Sequence, residues 1–281
     1  MEPQPDIILD TVPPDDGGEP LWFLFREHRL VVTERDGDLS LPAAEEPGEL
    51  GLTPRDIHYL GRLGAHPCFT AEWPKAAELS PGQDEQSLRG LLNHLDDARF
   101  TMASRAIQLL RWYRDHRYCG RCGHATVPHE RDKAMICTHC DHRQYPRITP
   151  CVIMLVTRGD EALLAHSARF PTGFYSCLAG FMEPGESAEQ AVQREVREET
   201  GLEVDEIRYH GSQPWPFPHS LMLGFRARHS GGEIAVDGEE IRDAHWWRPD
   251  ELPRVPPQGS IARALIDDWL AEQGHTAALQ P

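Results

Sequence analysis

Residues 180–202 read GFMEPGESAEQAVQREVREETGL. Eight of these 23 residues are charged and six are glutamates, with Glu195, Glu198 and Glu199 crowded into five positions. Like charges three and four apart on a helix repel by roughly a few tenths of a kcal/mol per pair. Pro184 and Gly185 place a loop first, and the spacing that follows predicts a helix from about Ser187 to Glu199, stopped at Gly201. With Glu195 at 0° and about 100° per residue, Glu198 falls at roughly 300° and Glu199 at roughly 40°. Ala188, Ala191 and Val192 share that face one and two turns earlier, while Arg197 lies opposite. The stripe starts apolar and turns into carboxylates without rotating away from the interior. Three converging carboxylates suit hard divalent cations such as Mg2+ or Mn2+, whose charge would remove the repulsion.

Around this segment the pattern is that of a mixed sheet with helices. CVIMLVT and EALLAHS flank an RGD turn and predict a hairpin of buried strands, and GFYSCLAGF leads into the glutamate segment as a further strand. EIRYHGS, LMLGFRARHS and AHWWRP are strand candidates, and SIARALIDDWLAEQ is an amphipathic closing helix. The order predicts an α/β/α domain over about 146–275. Upstream, LWFLFREHRLVVTERDGDLSLP and HYLGRLGAHPCFTAEW read as strands, and SLRGLLNHLDDARFTMASRAIQLLRWYRDH as mostly helix. Residues 21–115 are expected to form a small α+β domain, 1–20 a loose leader rich in Pro, Asp and Gly, and 116–145 a separate module. No internal repeat is evident.

CGRC at 119–122 and CTHC at 137–140 give C-x2-C-x14-C-x2-C. Two such knuckles supply four thiolates to one tetrahedral ion, so Cys119, Cys122, Cys137 and Cys140 are expected to hold one structural Zn2+. A closed all-sulfur site keeps no open position for catalysis. Cys68, Cys151 and Cys177 sit in apolar contexts and read as core.

The chain has 281 residues, 40% of them hydrophobic, and a net charge of −17. That charge argues against a general nucleic-acid binder. Between Arg111 and Arg147, however, eight Lys and Arg stand against four Asp and Glu. No apolar run approaches a membrane span, and the N-terminus lacks the basic start and apolar core of an export signal, so no membrane partner and a cytoplasmic location are expected.

In SQPWPFPHS, 212–220, prolines at 214, 216 and 218 remove three backbone donors. The segment is expected to be a stiff loop or an edge rather than a central strand. If extended, Trp215, Phe217 and His219 would share one side and offer aromatic surface to a ligand or a neighbouring subunit.

Position for position, the glutamate segment is similar to the Nudix box, G-x5-E-x7-R-E-U-x-E-E-x-G-U with U aliphatic. Gly180, Glu186, Arg194-Glu195-Val196-Arg197-Glu198-Glu199-Thr200-Gly201-Leu202 fill every defining position. The resemblance implies a hydrolase of nucleoside diphosphates linked to another moiety, with Glu195, Glu198 and Glu199 on the metals and Glu186 and Arg194 supporting the loop. SQPWPFPHS and the four cysteines ahead of the box resemble the NADH pyrophosphatase subfamily, a likeness that covers roughly residues 85–275. It implies hydrolysis of NADH and NAD+ to (reduced) nicotinamide mononucleotide and AMP, removal of NAD caps from RNA 5′ ends, and a homodimer. It further implies that Tyr145 and Phe181 hold the nicotinamide end, and that Ala179, through its carbonyl, and Glu240 join the Mg2+ or Mn2+ shell. Ala262, the array Gln213, Pro214, Trp215, Pro216, Phe217, Pro218, His219 and Ser220, and Arg89 by an adjusted alignment are implied to contact substrate. Asp132 stands where the family commonly has glutamate. Two other readings remain open: a Nudix pyrophosphatase for ADP-ribose or dinucleoside polyphosphates, and a non-catalytic zinc-ribbon RNA-binding or ligand-sensing protein.

Overall fold

The computed structural model describes residues 7–15, 18–35, 38–42, 48, 52–53, 56–236 and 238–275. The chain divides into two compact units, Met1–Arg147 and Ile148–Pro281. No described helix is long and apolar enough to cross a membrane.

In the first unit the strands are β1 (Ile7–Ile8), β2 (Leu21–Arg26), β3 (Arg29–Arg35), β4 (Asp38–Ser40), β5 (His58–Leu63), β6 (His66–Glu72) and β7 (Gln83–Ser87). They form one sheet in the order β1-β5-β6-β2-β3-β4, with β7 also on β3. Helix α1 (Asp97–Asp115) packs on β5 and β6, burying Met102, Ala106, Ile107 and Leu110. It starts later than its apolar spacing suggests, because Asp96 accepts a 2.8 Å bond from the Arg99 amide and caps it, and residues 88–95 are turns. The loose leader also differs. Residues 1–6, 16 and 17 lie outside the described residues, but Ile7 and Ile8 pair with Leu63 and Arg62. Asp10 then accepts bonds from Tyr59 Oη (2.6 Å) and Arg62 Nε (2.9 Å). A free strand edge, invisible in local composition, recruits this segment.

Three short strands, β8 (Thr126–Pro128), β9 (Met135–Cys137) and β10 (Arg143–Gln144), carry the cysteine knuckles within the first unit. Lys133, in the turn between β8 and β9, donates a 2.9 Å bond to the Tyr59 carbonyl of β5.

The second unit holds β11 (Thr149–Arg158), β12 (Glu161–Ser167), β13 (Leu178–Phe181), β14 (Glu203–Trp215), β15 (Ser220–Gly231) and β16 (Ile241–Trp247) in the order β14-β15-β11-β12-β16, with β13 also on β11. Strand β11 is buried on both faces, and its alternation assigns the layers. Val152, Met154 and Val156 meet Ala191, Val192 and Val196 of α2 (Ala188–Thr200). Cys151, Ile153 and Leu155 meet Leu265, Ile266 and Leu270 of α3 (Ile261–Glu272), each of these three worth about 1.5–3 kcal/mol when buried. The result is an α/β/α sandwich.

The two units share one topology, which corrects the expectation of no repeat. In each, the hairpins β2-β3 and β11-β12 set their first strand parallel to the second strand of β5-β6 and β14-β15. A later strand then joins the first hairpin, β7 on β3 and β16 on β12, and a helix follows. GLTPRDIHYLG at 51–61 and GLEVDEIRYHG at 201–211 lie 150 residues apart, and both strands slip register between their Tyr and Gly. At the same offset Ala44, Glu45, Gly48 and Glu49 stand for Arg194, Glu195, Glu198 and Glu199. Two of the four chemical groups are missing from the first copy, so motif spacing alone conceals the duplication.

Candidate active site

Gly180 closes β13 against β11, opposite Val152. A Cβ built on it would lie 1.8 Å from the Glu195 carboxyl carbon and 2.1 Å from both its oxygens, so only glycine leaves room for this carboxylate. The loop after β13 is fastened by Glu186, whose Oε1 accepts a 2.6 Å bond from the Glu183 amide. Ser187 and Gln190 then form a reciprocal capping box, and Gly201 ends α2 with a left-handed backbone at φ 72°. The predicted helix limits thus fall within one residue of the observed ones.

Arg194 is the hub. Its guanidinium grips Glu186 through Nη2 (2.6 Å) and Nε (3.0 Å), reaches Glu195 (2.7 Å) and Glu198 (3.0 Å) through Nη1, and donates to the Phe181 carbonyl (2.9 Å). The Arg194 bonds, with the Glu183 amide, hold the Glu186 carboxyl down at about 2. Glu195 moves the other way: burial raises it against the Arg194 bonds, and the charges of Glu198 and Glu240 add to the rise. Glu199 is buried, whereas Glu198 and Glu240 are exposed. The face of α2 therefore runs from core to solvent across the carboxylates, and the repulsion is relieved in part by Arg194 rather than by a metal alone.

Fit to a divalent ion rests on the donor chemistry and on the Gly180 cradle. Glu195 is a desolvated carboxylate and the Glu240 charge reaches it. Glu195 and Glu199 both act on the Cys151 thiol, which burial first and then these charges push up to about 12. All-oxygen donors of this kind match Mg2+ and Mn2+. Their oxygens stand apart as placed: among the described residues, the clusters whose ligand atoms all lie within 4.8 Å are the four cysteines, and Cys122 with His124 and His139.

The other sequence candidates in this unit fall in two places. Ala179 and Phe181 are exposed on β13, adjoining Glu195 through Gly180 and Arg194. The proline-rich array is an edge strand followed by a turn: Pro214 and Trp215 end β14, Pro216, Phe217, Pro218 and His219 turn, and buried Ser220 opens β15. The edge placement matches the reading; the shared aromatic side does not, because the chain bends. The Phe217 amide bonds to the Trp215 carbonyl, the two rings meet edge to face at 5.1 Å, and His219 Nδ1 sits 3.0 Å from Thr149 Oγ1. Gln213 spends its amide on the start of α3, donating to the Gly259 carbonyl (2.7 Å) and accepting from the Ile261 amide (2.9 Å). Ala262 is buried, and its carbonyl accepts from the Cys177 thiol at 3.6 Å. Glycine at 180, the Phe181 carbonyl as an Arg194 acceptor and Cys151 beside the glutamates were not legible as contacts, since each depends on strand pairing.

Arg89, Asp132 and Tyr145 lie in the first unit. Arg89 is exposed in the turn after β7, Tyr145 is exposed after β10, and Asp132 accepts a 3.0 Å bond from Arg143. In the same unit the cysteine sulfurs approach to 3.8 Å (Cys119–Cys140), 3.5 Å (Cys122–Cys137) and 3.4 Å (Cys122–Cys140). A tetrahedral ion with Zn–S of about 2.3 Å needs sulfurs about 3.8 Å apart. The Cys140 and His139 amides, in that order, lower the Cys137 thiol to about 6, favouring the thiolate a metal requires.

Three family models match in succession between residues 19 and 270: an NADH pyrophosphatase-like rudimentary NUDIX domain at 19–112, an NADH pyrophosphatase zinc ribbon at 114–145 and a NUDIX domain at 147–270. The NAD-capped RNA hydrolase NudC of Pseudomonas fluorescens strain Pf0-1 is 49% identical over 98% of this chain and 97% of its own. That of Pseudomonas syringae pv. syringae strain B728a is 55% identical over 77% of each. The duplicated topology, the glycine-cradled glutamate and the four-sulfur ribbon thus occur together with near full-length likeness, and the chain belongs to the Nudix family, in the group that joins a rudimentary NUDIX domain, a zinc ribbon and a NUDIX domain.

Proposed function

We propose that this protein hydrolyses the pyrophosphate bond of NADH and NAD+, yielding (reduced) nicotinamide mononucleotide and AMP, and removes NAD caps from RNA 5′ ends. The observation that carries the reading is the Arg194 hub, which aligns Glu186, Glu195 and Glu198 beside buried Glu199. Likeness over 98% of the chain to a protein named for NAD-capped RNA supplies the substrate class. Glu195, Glu198, Glu199, Glu240 and the Ala179 carbonyl would hold Mg2+ or Mn2+. Such ions supply Lewis-acid polarisation of the pyrophosphate and of a water nucleophile, and neutralise charge on the leaving phosphate.

The chain's own groups do the rest. Glu186 and Arg194 hold the loop rigid, and Arg194 sets the rotamers of Glu195 and Glu198 before substrate arrives. Glu198 or Glu199 takes a proton from the attacking water. Phe181, with Tyr145, offers ring faces to the nicotinamide base. Arg89, Asp132, Ala262 and the array from Gln213 to Ser220 are the remaining proposed substrate contacts. A homodimer and a cytoplasmic location complete the reading, and the ribbon cysteines hold zinc.

The test is chromatographic product analysis after incubation with NADH and Mg2+ or Mn2+, beside Glu199→Gln. AMP and reduced nicotinamide mononucleotide formed by the wild type and lost in the variant support the reading; intact NADH in both overturns it.

A further inference from the structure

The first unit repeats the fold of the second without its full carboxylate set, yet it holds two adjoining cavities of about 670 and 680 Å3. Both are lined by Glu72, Arg114 and Arg117, so they form one cleft between the end of β6, the last turn of α1 and the start of the ribbon. Its two ends differ in chemistry. One is apolar and aromatic: Leu52, Pro74, Leu110 and Met135 surround His58 and Tyr113, whose rings stack 3.8 Å apart at 9°. Burial, and then the charge of Lys133, hold the His58 ring neutral by lowering it to about 4. The other end is cationic, with Arg26, Lys75 and Arg111 added to Arg114 and Arg117.

Among the described residues, five cations therefore line the cleft against three carboxylates, Glu27, Asp56 and Glu72, in a chain of net charge −17. Arg26 is committed to Glu85 at 2.9 Å, and Arg114 pairs with Asp115 at 3.1 Å and stands 3.8 Å from Glu72. Among the described residues Arg117 and Lys75, both exposed, form no ion pair. The matching cleft of the second unit, about 370 Å3 between β14, β15 and α3, is different. There Arg226 is held by Glu272 (2.6 Å) and Arg228 by Asp205 (3.0 Å), so its cations are neutralised internally. The cleft occurs in both units, but in the first it presents Arg117 and Lys75 beside a ring stack.

We propose that this cleft is a nucleotide site within the rudimentary unit, taking a nucleoside phosphate with its base against His58 and Tyr113 and its phosphate on Arg114, Arg117 and Lys75. A flat apolar end with a guanidinium-lined end matches that ligand class. The nucleoside phosphate is either free or a residue of an RNA chain. The RNA source rests on the function proposed above; the site does not.

The experiment has two arms and uses the full chain. In the first, AMP is titrated calorimetrically, without added divalent ions, into Glu199→Gln and into Glu199→Gln with Arg117→Ala and Lys75→Ala. In the second, KM and kcat for NADH and for a short NAD-capped RNA are compared between wild type and Arg117→Ala/Lys75→Ala. A free-nucleotide site predicts AMP affinity about tenfold weaker in the cleft variant and unchanged kinetics. An RNA-residue site predicts a KM for capped RNA raised about tenfold, a shallower salt dependence, and unchanged NADH turnover. Unchanged AMP affinity together with unchanged capped-RNA KM overturns the proposal. Photolabelling with 8-azido-AMP supplies an independent reading: label on the peptide bearing Tyr113 supports the site, and label confined to residues 148–281 overturns it. Failure of the wild type to hydrolyse either substrate would sink the function while the AMP and labelling results still decide the cleft.

Discussion

The Glu195 carboxylate occupies the space where any side chain on residue 180 would begin, with 1.8 Å between its carboxyl carbon and the position of an added Cβ. No rotamer of alanine exists to relieve that overlap. Gly180→Ala is expected to push Glu195 off its position and lower kcat by about 10²-fold, the usual consequence of misplacing a reacting group by about 1 Å. Steady-state kinetics with a thermal melt checks this: a melt near wild type with activity lost supports it, and full activity contradicts it.

Arg194 serves three carboxylates with one planar fork, a task the point charge of lysine cannot perform. Arg194→Lys is expected to lower kcat by about 10- to 100-fold, because the carboxylates lose their orientation before substrate binds. The divalent-ion concentration needed for half-maximal rate should rise in parallel. An unchanged ion dependence would show that Arg194 only braces the loop.

Glu186 provides a pH signature. Its folded value near 2 lies below the ordinary 4.5, so the ionised carboxylate stabilises the fold above pH 4.5. That contribution declines as pH falls through the interval and is gone near pH 2. Denaturant unfolding of wild type between pH 5 and 2.5 should show a steeper loss than Glu186→Gln, which lacks the titrating group. Parallel curves would mean that the Arg194 clamp does not form in solution.

The seven cysteines should sort into two chemical classes. Cys68, Cys151 and Cys177 are buried, and burial pushes each thiol up to about 12, so they resist alkylation at pH 8 in the native state. The other four surround the zinc site. Native protein should release one zinc per chain on chelation, after which iodoacetamide labels four cysteines rather than seven, as counted by mass spectrometry. Structural zinc of this type contributes about 10–16 kcal/mol to the fold of its own module, so the ribbon amides should lose hydrogen-exchange protection at the same point.

Gln213 joins two elements, and its removal tests whether it acts on the fold or on substrate alone. Gln213→Ala deletes a bond to the Gly259 carbonyl and one to the Ile261 amide. At about 1 kcal/mol each, the loss is about 2 kcal/mol, visible as a lower Tm. A Tm equal to wild type with a raised KM would assign the side chain to substrate instead.

The catalytic segment was legible because its information is local. A capping serine, a stop glycine and a face of Ala188, Ala191 and Val192 are statements about neighbours within four residues, and α2 follows them to within one residue. The four cysteines are equally local in pairs, and tetrahedral chemistry supplies the rest. Strand β11 was legible as buried, though not which helix each of its faces would meet.

Tertiary structure decided everything that depends on partners distant in sequence. Ile7 and Ile8 became a strand because β5 offered them an edge. The glutamate repulsion was answered by Arg194, whose reach to Glu186 and the Phe181 carbonyl requires the loop to fold back on the helix. The duplication stayed hidden because the first copy lost its motif while keeping its strand order, and strand order is a property of pairing rather than of composition. Sequence by itself determined the chemistry of this protein, since side-chain identity and helical spacing set what a segment can bind. Only the tertiary structure decided which of those groups meet, because hydrogen-bonded strand pairing brings together residues that no local interaction connects.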